Sequence, residues 1–366
     1  MNTKLPHLKK IFALFTICII FSFLFFFRET VLNQVIQIAI KHRLTNSNAA
    51  NLPDGLHIGL CGAGSQFLVD PKRSEPCTLV LAGNLLFVID AGSKSTQNIE
   101  SMGFGAGEVK AIFLTHFHSD HINGLGQLLN WNWMLAKKTE QLPVFGPEGV
   151  EAVVNNVNQA YSLDRQYKIA QLGKANVAAT AFGGRPITLK FQSKSELLSI
   201  YKSTDLEIKA FPVSHYPVDS AVGYLFTYKG RSAVISGDTI KSENIEQYSK
   251  DVDLLVHDAL SPVLMNTYKE GAIKSGFMNV ADIFSTLIPQ HATPEDAATS
   301  ARYSNVKFLL LTGVTPPLQL PGAEGIFLGK ANQIYKGPIK IGIDGDLVSM
   351  PANSNEITFK SILSPF

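Results

Sequence analysis

"LTHFHSDHINGLG", residues 114–126, places His116, His118, Asp120 and His121 within six positions. Imidazole and carboxylate at that density suit zinc, iron or manganese. The competing reading is a polar loop that happens to hold histidines. The run before it, "VKAIFLT" (109–115), is a short apolar strand that stops at the histidines. At an extended strand end, residues two apart point the same way, so His116 and His118 can face one ion. The chain then turns, which frees Asp120 and His121 for a second position. This differs from H-E-x-x-H, which needs a helix.

Other predicted strands end in the same chemistry. "LEIKAFPVSH" (206–215) runs into His215, and "RSAVISGDT" (231–239) contains Asp238. Alone, His215 reads as a structural histidine and Asp238 as a turn residue. The dense cluster upstream reverses both readings, because an α/β sheet offers its ligands at one edge. Further strands are expected at 56–62, 78–83, 85–92, 223–230, 252–259 and 306–313, with a helix at 124–135 and a strand, turn and helix over 143–161. Thr293 and Pro294 open a helix over 294–304. Residues 162–200 carry weak signals and read as an insertion. No repeat or low-complexity segment interrupts the chain.

The expected organisation is a membrane anchor and juxtamembrane helix over 1–44, a linker over 45–55, one domain over 56–350 and a tail over 351–366. The anchor rests on "IFALFTICIIFSFLFFF" (11–27), uncharged and preceded by Lys4, Lys9 and Lys10. Seventeen helical residues span roughly 26 Å, at the short end for a bilayer. The lysines orient the N-terminus to the cytoplasm and the domain to the periplasm. Residues 1–44 hold six Lys/Arg and one acid, leaving 26 Lys/Arg against 29 Asp/Glu elsewhere. That mild acidity argues against a nucleic-acid partner. Cys61 and Cys77 flank a strand-to-strand loop, and a disulfide and two buried thiols both stay open.

"THFHSDH", the later lone His215, "SGDT" (236–239) and "HATPEDAA" (291–298), in this order, resemble the metallo-β-lactamase-fold hydrolases. "GAGS" (62–65), "DAG" (90–92) and "VHDA" (256–259) resemble its ribonuclease Z and arylsulfatase-like phosphodiesterase branch. The resemblance covers roughly 56–345 and implies an αββα sandwich with two metal positions at one edge, here preceded by the N-terminal transmembrane helix. It implies His116, His118 and His215 on the first ion, Asp120 and His121 on the second, and Asp238 bridging. It also implies Asp90 as a brace, His291 as a general acid and Asp258 as the residue orienting it.

One position departs from the pattern. The resemblance places a histidine of the second metal site at the end of "LLLTGVTPP" (309–317), where this chain has Gly313. One or two zinc ions are therefore open, with manganese or iron as substitutes, and His257 or His291 could fill the gap. The branch's tRNA-gripping arm has no room between His215 and Asp238, 23 positions apart. Residues 260–290 read instead as a helical lid. The expected activity is hydrolysis of a small phosphodiester, sulfate ester or related ester by a metal-activated water. A lactonase or β-lactam hydrolase, and a weakened protein that binds without turnover, are the rivals. A homodimer is left open.

Overall fold

Two β-sheets face each other, and the chain builds them nearly in order. The first six strands are β1 (Gly55–Gly62), β2 (Cys77–Ala82), β3 (Leu85–Ile89), β4 (Val109–Phe113), β5 (Leu142–Gly146) and β6 (Gly184–Thr188). The second sheet takes β7 (Leu198–Lys202), β8 (Leu206–Pro212), β9 (Val222–Tyr228), β10 (Arg231–Ile235), β11 (Leu254–Leu260), β12 (Phe308–Thr315) and β13 (Ile339–Ile341). The chain then returns to the first sheet as β14 (Asp346–Pro351) and β15 (Thr358–Ser361). The spatial orders are β15-β14-β1-β2-β3-β4-β5-β6 and β13-β12-β11-β10-β9-β8-β7. The computed structural model describes residues 5–45, 47–66 and 68–363.

Period two explains the layering. On β4, Ala111 and Phe113 face the core between the sheets, while Ile112 and then Leu114 face the outer helices. On β11, Leu254 and Val256 turn inward and Leu255 turns to the helical layer of its own sheet. Strands buried on both faces read as continuous apolar runs, and these are flanked by parallel neighbours. Phe113 packs on Phe145 and Tyr224, with ring centroids 5.0 and 5.4 Å apart. The Tyr224 hydroxyl donates to the Leu114 carbonyl at 2.6 Å. The core thus grips the strand end two residues before His116. Truncating Phe113 to alanine would cost about 3–5 kcal/mol.

The segment 162–200 is less of an insertion than its sequence suggests. It holds the helix Ser162–Leu172 and then β6 and β7, the edge strands of the two sheets. Edge strands bury only part of each face, which blunts their alternation. Residues 260–290 fold as two helices, Pro262–Lys274 and Met278–Leu287, around Leu260, Met265 and Phe284. Thr293 caps Pro294–Tyr303 by accepting from the Asp296 amide. Cys61 and Cys77 are bonded, tying β1 to β2.

The chain divides into two compact units, Met1–Ser47 and Asn48–Phe366. In the first, Leu5–Thr45 is one helix of 41 residues. The expected membrane crossing at 11–27 is not upheld. Among the described residues, no helix is long and apolar enough to cross a membrane. The physical reason is length: seventeen uncharged residues end at Arg28 and Glu29, short of the roughly 20 a crossing needs. The single-pass topology, the membrane contact and the periplasmic placement lose their basis with it. Lys4, Asn46 and residues 364–366, parts of the expected anchor, linker and tail, lie outside the described residues.

Candidate metal centre

The parallel strands deliver their C-terminal ends to one edge of the sandwich. β4 leads to His116 and His118, β8 to His215, β10 to Asp238, and β11 carries Asp258 near its end. His118 Nδ1 lies 3.0 Å from His116 Nε2 and 3.2 Å from His215 Nε2. The other nitrogens of two of these rings are already engaged. His116 Nδ1 meets the Thr115 hydroxyl at 3.0 Å, and His215 Nδ1 donates to the Gln290 carbonyl at 3.0 Å. These bonds turn the Nε2 atoms of His116 and His215 toward His118 Nδ1. Burial, reinforced by His121, holds His116 well below the usual imidazole range. Burial and then His215 lower His118.

His121 stands opposite. Its Nδ1 donates to Asp90 Oδ2 at 2.8 Å, so Nε2 points toward Asp238 Oδ2 at 3.3 Å and Asp120 Oδ2 at 3.8 Å. Burial works against a charge on His121, but Asp238 and Asp90 outweigh it and raise its pKa well above the ordinary value. Burial lifts Asp120 to about 6, although His121 opposes this. Burial also works against the Asp238 carboxylate, yet His121, His291 and His116 hold it well below the usual range. Asp90 ties the two halves together. It sits at φ +58° after β3 and accepts from the Thr115 amide and hydroxyl, both at 2.8 Å.

A metal fits this arrangement on three observations. Donor atoms converge within 4.8 Å in the groups His116–His118–His215, His116–His121–Asp238 and His215–Asp238–His291. Buried Asp120 Oδ1 and His121 Nε2 have no hydrogen-bond partner. The donor set of imidazoles and carboxylates is that of zinc and its neighbours. The structure therefore brings His116, His118, His121, His215 and Asp238 together. Asp120 is adjacent but lies outside the three tight groups. His291 donates from Nδ1 to Asp258 Oδ2 at 3.1 Å and approaches Asp238 at 3.8 Å. Burial lowers the basicity of His291, and Asp258 and Asp238 more than restore it. His257 is fully buried, bonded through Nδ1 to the Asp258 carbonyl, and belongs to none of these groups.

Gly313 lies beside this cluster at φ +57°, and a Cβ there would stand 3.4 Å from Asp258 Cβ and 3.9 Å from Asp238 Oδ1. Sequence reasoning missed Glu75. Its carboxylate accepts from the Ser93 amide at 2.7 Å and from Asn123 Nδ2 at 3.0 Å, bracing the loops that carry Asp90 and His121. Nothing in its local sequence signals this. Gln290 was equally hidden, because it acts through its backbone carbonyl.

The model of the metallo-beta-lactamase superfamily matches residues 71–285. A "Ribonuclease Z" from Mycolicibacterium gilvum is 29% identical over 291 residues, covering 79% of this chain and 94% of that one. Human tRNase Z, short form, superposes with TM-score 0.57 at 20% identity, over 81% of this chain and 99% of that one. A "New Diphosphatase from the PhnP Family" superposes with TM-score 0.53 at 18% identity, over 81% and 97%. The first of these names runs against the expectation that nucleic acid is not a partner. A net charge is an average over the whole surface and says little about one local patch of lysines.

Proposed function

We propose, from the premise that the chain belongs to the metallo-beta-lactamase superfamily and is a metal-dependent hydrolase, that the bond it cuts is a phosphodiester. The observation that carries this reading is the His291–Asp258 pair at 3.1 Å, set against Asp238 at the metal edge. When the P–O bond of a diester breaks, the departing oxygen leaves as an alkoxide and needs a proton at that moment. Asp258 accepts the hydrogen bond from His291 Nδ1–H and so aims Nε2 outward. His291 then gives its Nε2 proton to the leaving oxygen. Names among the relatives, a ribonuclease and a diphosphatase, support phosphoryl chemistry.

Zinc is the ion we assign, held by His116, His118 and His215 on one side and by Asp120, His121 and Asp238 on the other. When bound, it would supply Lewis-acid polarisation of a phosphoryl oxygen and acidify a water. Thr115 and Gln290 fix the imidazole orientations in the first group, and Asp90 fixes His121 in the second. Two helices over 262–287 lead into Gln290 and His291, so they set the position of both a ligand and the acid. The reading of the chain as a binding protein without turnover is not retained.

The test is a substrate panel on the full chain supplied with zinc: bis(p-nitrophenyl) phosphate, p-nitrophenyl sulfate, a simple lactone and a β-lactam. Diester turnover that disappears in Asp120→Ala supports the reading. Turnover of the sulfate, the lactone or the β-lactam without the diester overturns it.

A further inference from the structure

We propose that the disulfide between Cys61 and Cys77 is a positioning group for the metal position of Asp120 and His121, and that reducing it weakens that position while sparing the other. This rests on the zinc assignment above. The bond closes residues 62–76 into a loop that runs from the end of β1 to the start of β2. The loop reaches the metal edge at three places. The Ala63 carbonyl accepts from the Val314 amide at 2.9 Å, and the Ser65 hydroxyl accepts from Thr315 Oγ1 at 2.8 Å, one and two positions after Gly313. Gln66 Oε1 accepts from the hydroxyl of Ser119, the neighbour of Asp120, at 3.1 Å. The Pro76 carbonyl accepts from the Gly92 amide at 3.0 Å, beside the Glu75 carboxylate that holds Ser93 and Asn123.

These contacts fall on one half of the edge. Gly92 and Ser93 follow Asp90, Ser119 and Asn123 flank Asp120 and His121, and Gly313 faces the same half. Among the described residues, no hydrogen bond links the loop to Thr115 or Gln290, which orient the tri-histidine group. The packing on this side leaves little slack. A Cβ added at Gly92 would stand 2.4 Å from the Asp120 carbonyl oxygen and 2.6 Å from Glu75 Cβ. The limb that carries Glu75 therefore sets where the Asp90 loop meets the Asp120 loop.

The strand ladder is interrupted where the bond sits. Leu60 pairs with Thr78 and Gly62 with Cys77, so Cys61 is the extra residue of a bulge. Beyond it, the Gly64 amide donates to the Ser74 carbonyl at 2.7 Å. The Asp344 carboxylate accepts from the Ala63 and Ser74 amides at 3.0 and 2.9 Å. Asp344 is thus the rival brace of the loop. Both sulfurs are buried, so an external thiol reaches them only when the loop opens. Opening gives up the bonds to Gly92, Ser119 and Asn123. Zinc at this half and reduction of the bond therefore oppose each other, and such coupling is reciprocal. Two external thiols supply two electrons and two protons and leave as one disulfide, while Cys61 and Cys77 become thiols.

The experiment titrates zinc into the full chain and into its Cys61→Ala/Cys77→Ala double variant, in competition with a chromogenic chelator. The double variant should bind its second equivalent about tenfold more weakly and its first unchanged. A bond that serves stability alone would lower the melting temperature and leave both affinities as they were. That outcome overturns the proposal and leaves Asp344 as the brace, and an equal loss from both equivalents overturns it too. A second measurement needs no variant. The wild-type chain, with and without zinc, is equilibrated in graded mixtures of reduced and oxidised glutathione and trapped with iodoacetamide. Mass spectrometry of the alkylated peptides reads Cys61 and Cys77 apart from Cys18. Zinc should shift the equilibrium of the pair about tenfold toward the disulfide, or about 30 mV. An equilibrium indifferent to zinc overturns the proposal even where the double variant does not fold. Failure of the two readings is separable, because a wild-type chain that takes up no zinc removes the metal assignment itself.

Discussion

The two halves of the metal edge are built differently. The half formed by His116, His118 and His215 is made of three imidazoles whose donor atoms lie within 3.2 Å of their neighbours. Its supports are a hydroxyl and a backbone carbonyl: Thr115, next in sequence to His116, and Gln290, 75 positions from His215. The half formed by Asp120 and His121 shares Asp238, has one carboxylate set apart, and faces the open position at Gly313. Its supports are carboxylate side chains, Asp90 after β3 and Glu75 before β2. Metal ligands depend on the residues that orient them, so the two halves should respond differently when those supports are removed.

The largest expected effect breaks both halves at once. His116 belongs to the tri-histidine group and to the group with His121 and Asp238. His116→Ala should abolish retention of any zinc and lower diester turnover by about a thousandfold or more, since the metal supplies several kcal/mol of transition-state stabilisation. Elemental analysis alongside the rate assay checks this. Retention of one full equivalent would show that the halves are independent. Asp90→Asn comes next and is aimed at the second half. It removes the charge opposite His121 and weakens two bonds to Thr115. The weaker zinc equivalent should lose about 10–100-fold in affinity, read by competition with a chromogenic chelator. Equal loss from both equivalents would mean that Asp90 holds the whole edge.

Much of the first half was legible because its chemistry is compressed into "THFHSDH" and into strand ends that stop on a ligand. The Thr293 cap and the α/β layering were legible for a similar reason, as each depends on residues adjacent in sequence. The rest depended on distance. Glu75 reaches Asn123 across 48 positions, and Gln290 reaches His215 across 75 through a backbone atom that every residue has. The strands β6 and β7 sit at sheet edges, where neither face is fully buried and the alternation that marks a strand is weak. The N-terminal run is apolar but only seventeen residues long, and that margin is too thin to decide a membrane crossing from sequence. The Cys61–Cys77 bond needed the register of β1 against β2, which no spacing rule supplies.

Gly313→His should sharpen the contrast by completing the weaker half. A Cβ meets only ordinary contacts there, and the cost is a left-handed backbone, roughly 1 kcal/mol of stability. The variant should melt slightly earlier while its second zinc equivalent binds about tenfold more tightly. An unchanged second equivalent would show that the imidazole does not reach the ion, and that Gly313 is not what weakens this half.

Glu75→Gln tests the smallest difference, the effect of a support that touches no ligand. The carboxylate holds the Ser93 amide and the Asn123 side chain together. Glutamine keeps one carbonyl acceptor for Ser93, but its amide group meets the Asn123 amide donor to donor unless one of them turns over. A charge-assisted bond becomes a neutral one on a half-exposed side chain, so the expected loss is about threefold in affinity of the second equivalent. The first equivalent should be unchanged, because Thr115 and Gln290 hold it without Glu75. A loss shared evenly between both equivalents would mean that the two halves move as one body, and the contrast between carboxylate-held and carbonyl-held halves would fail.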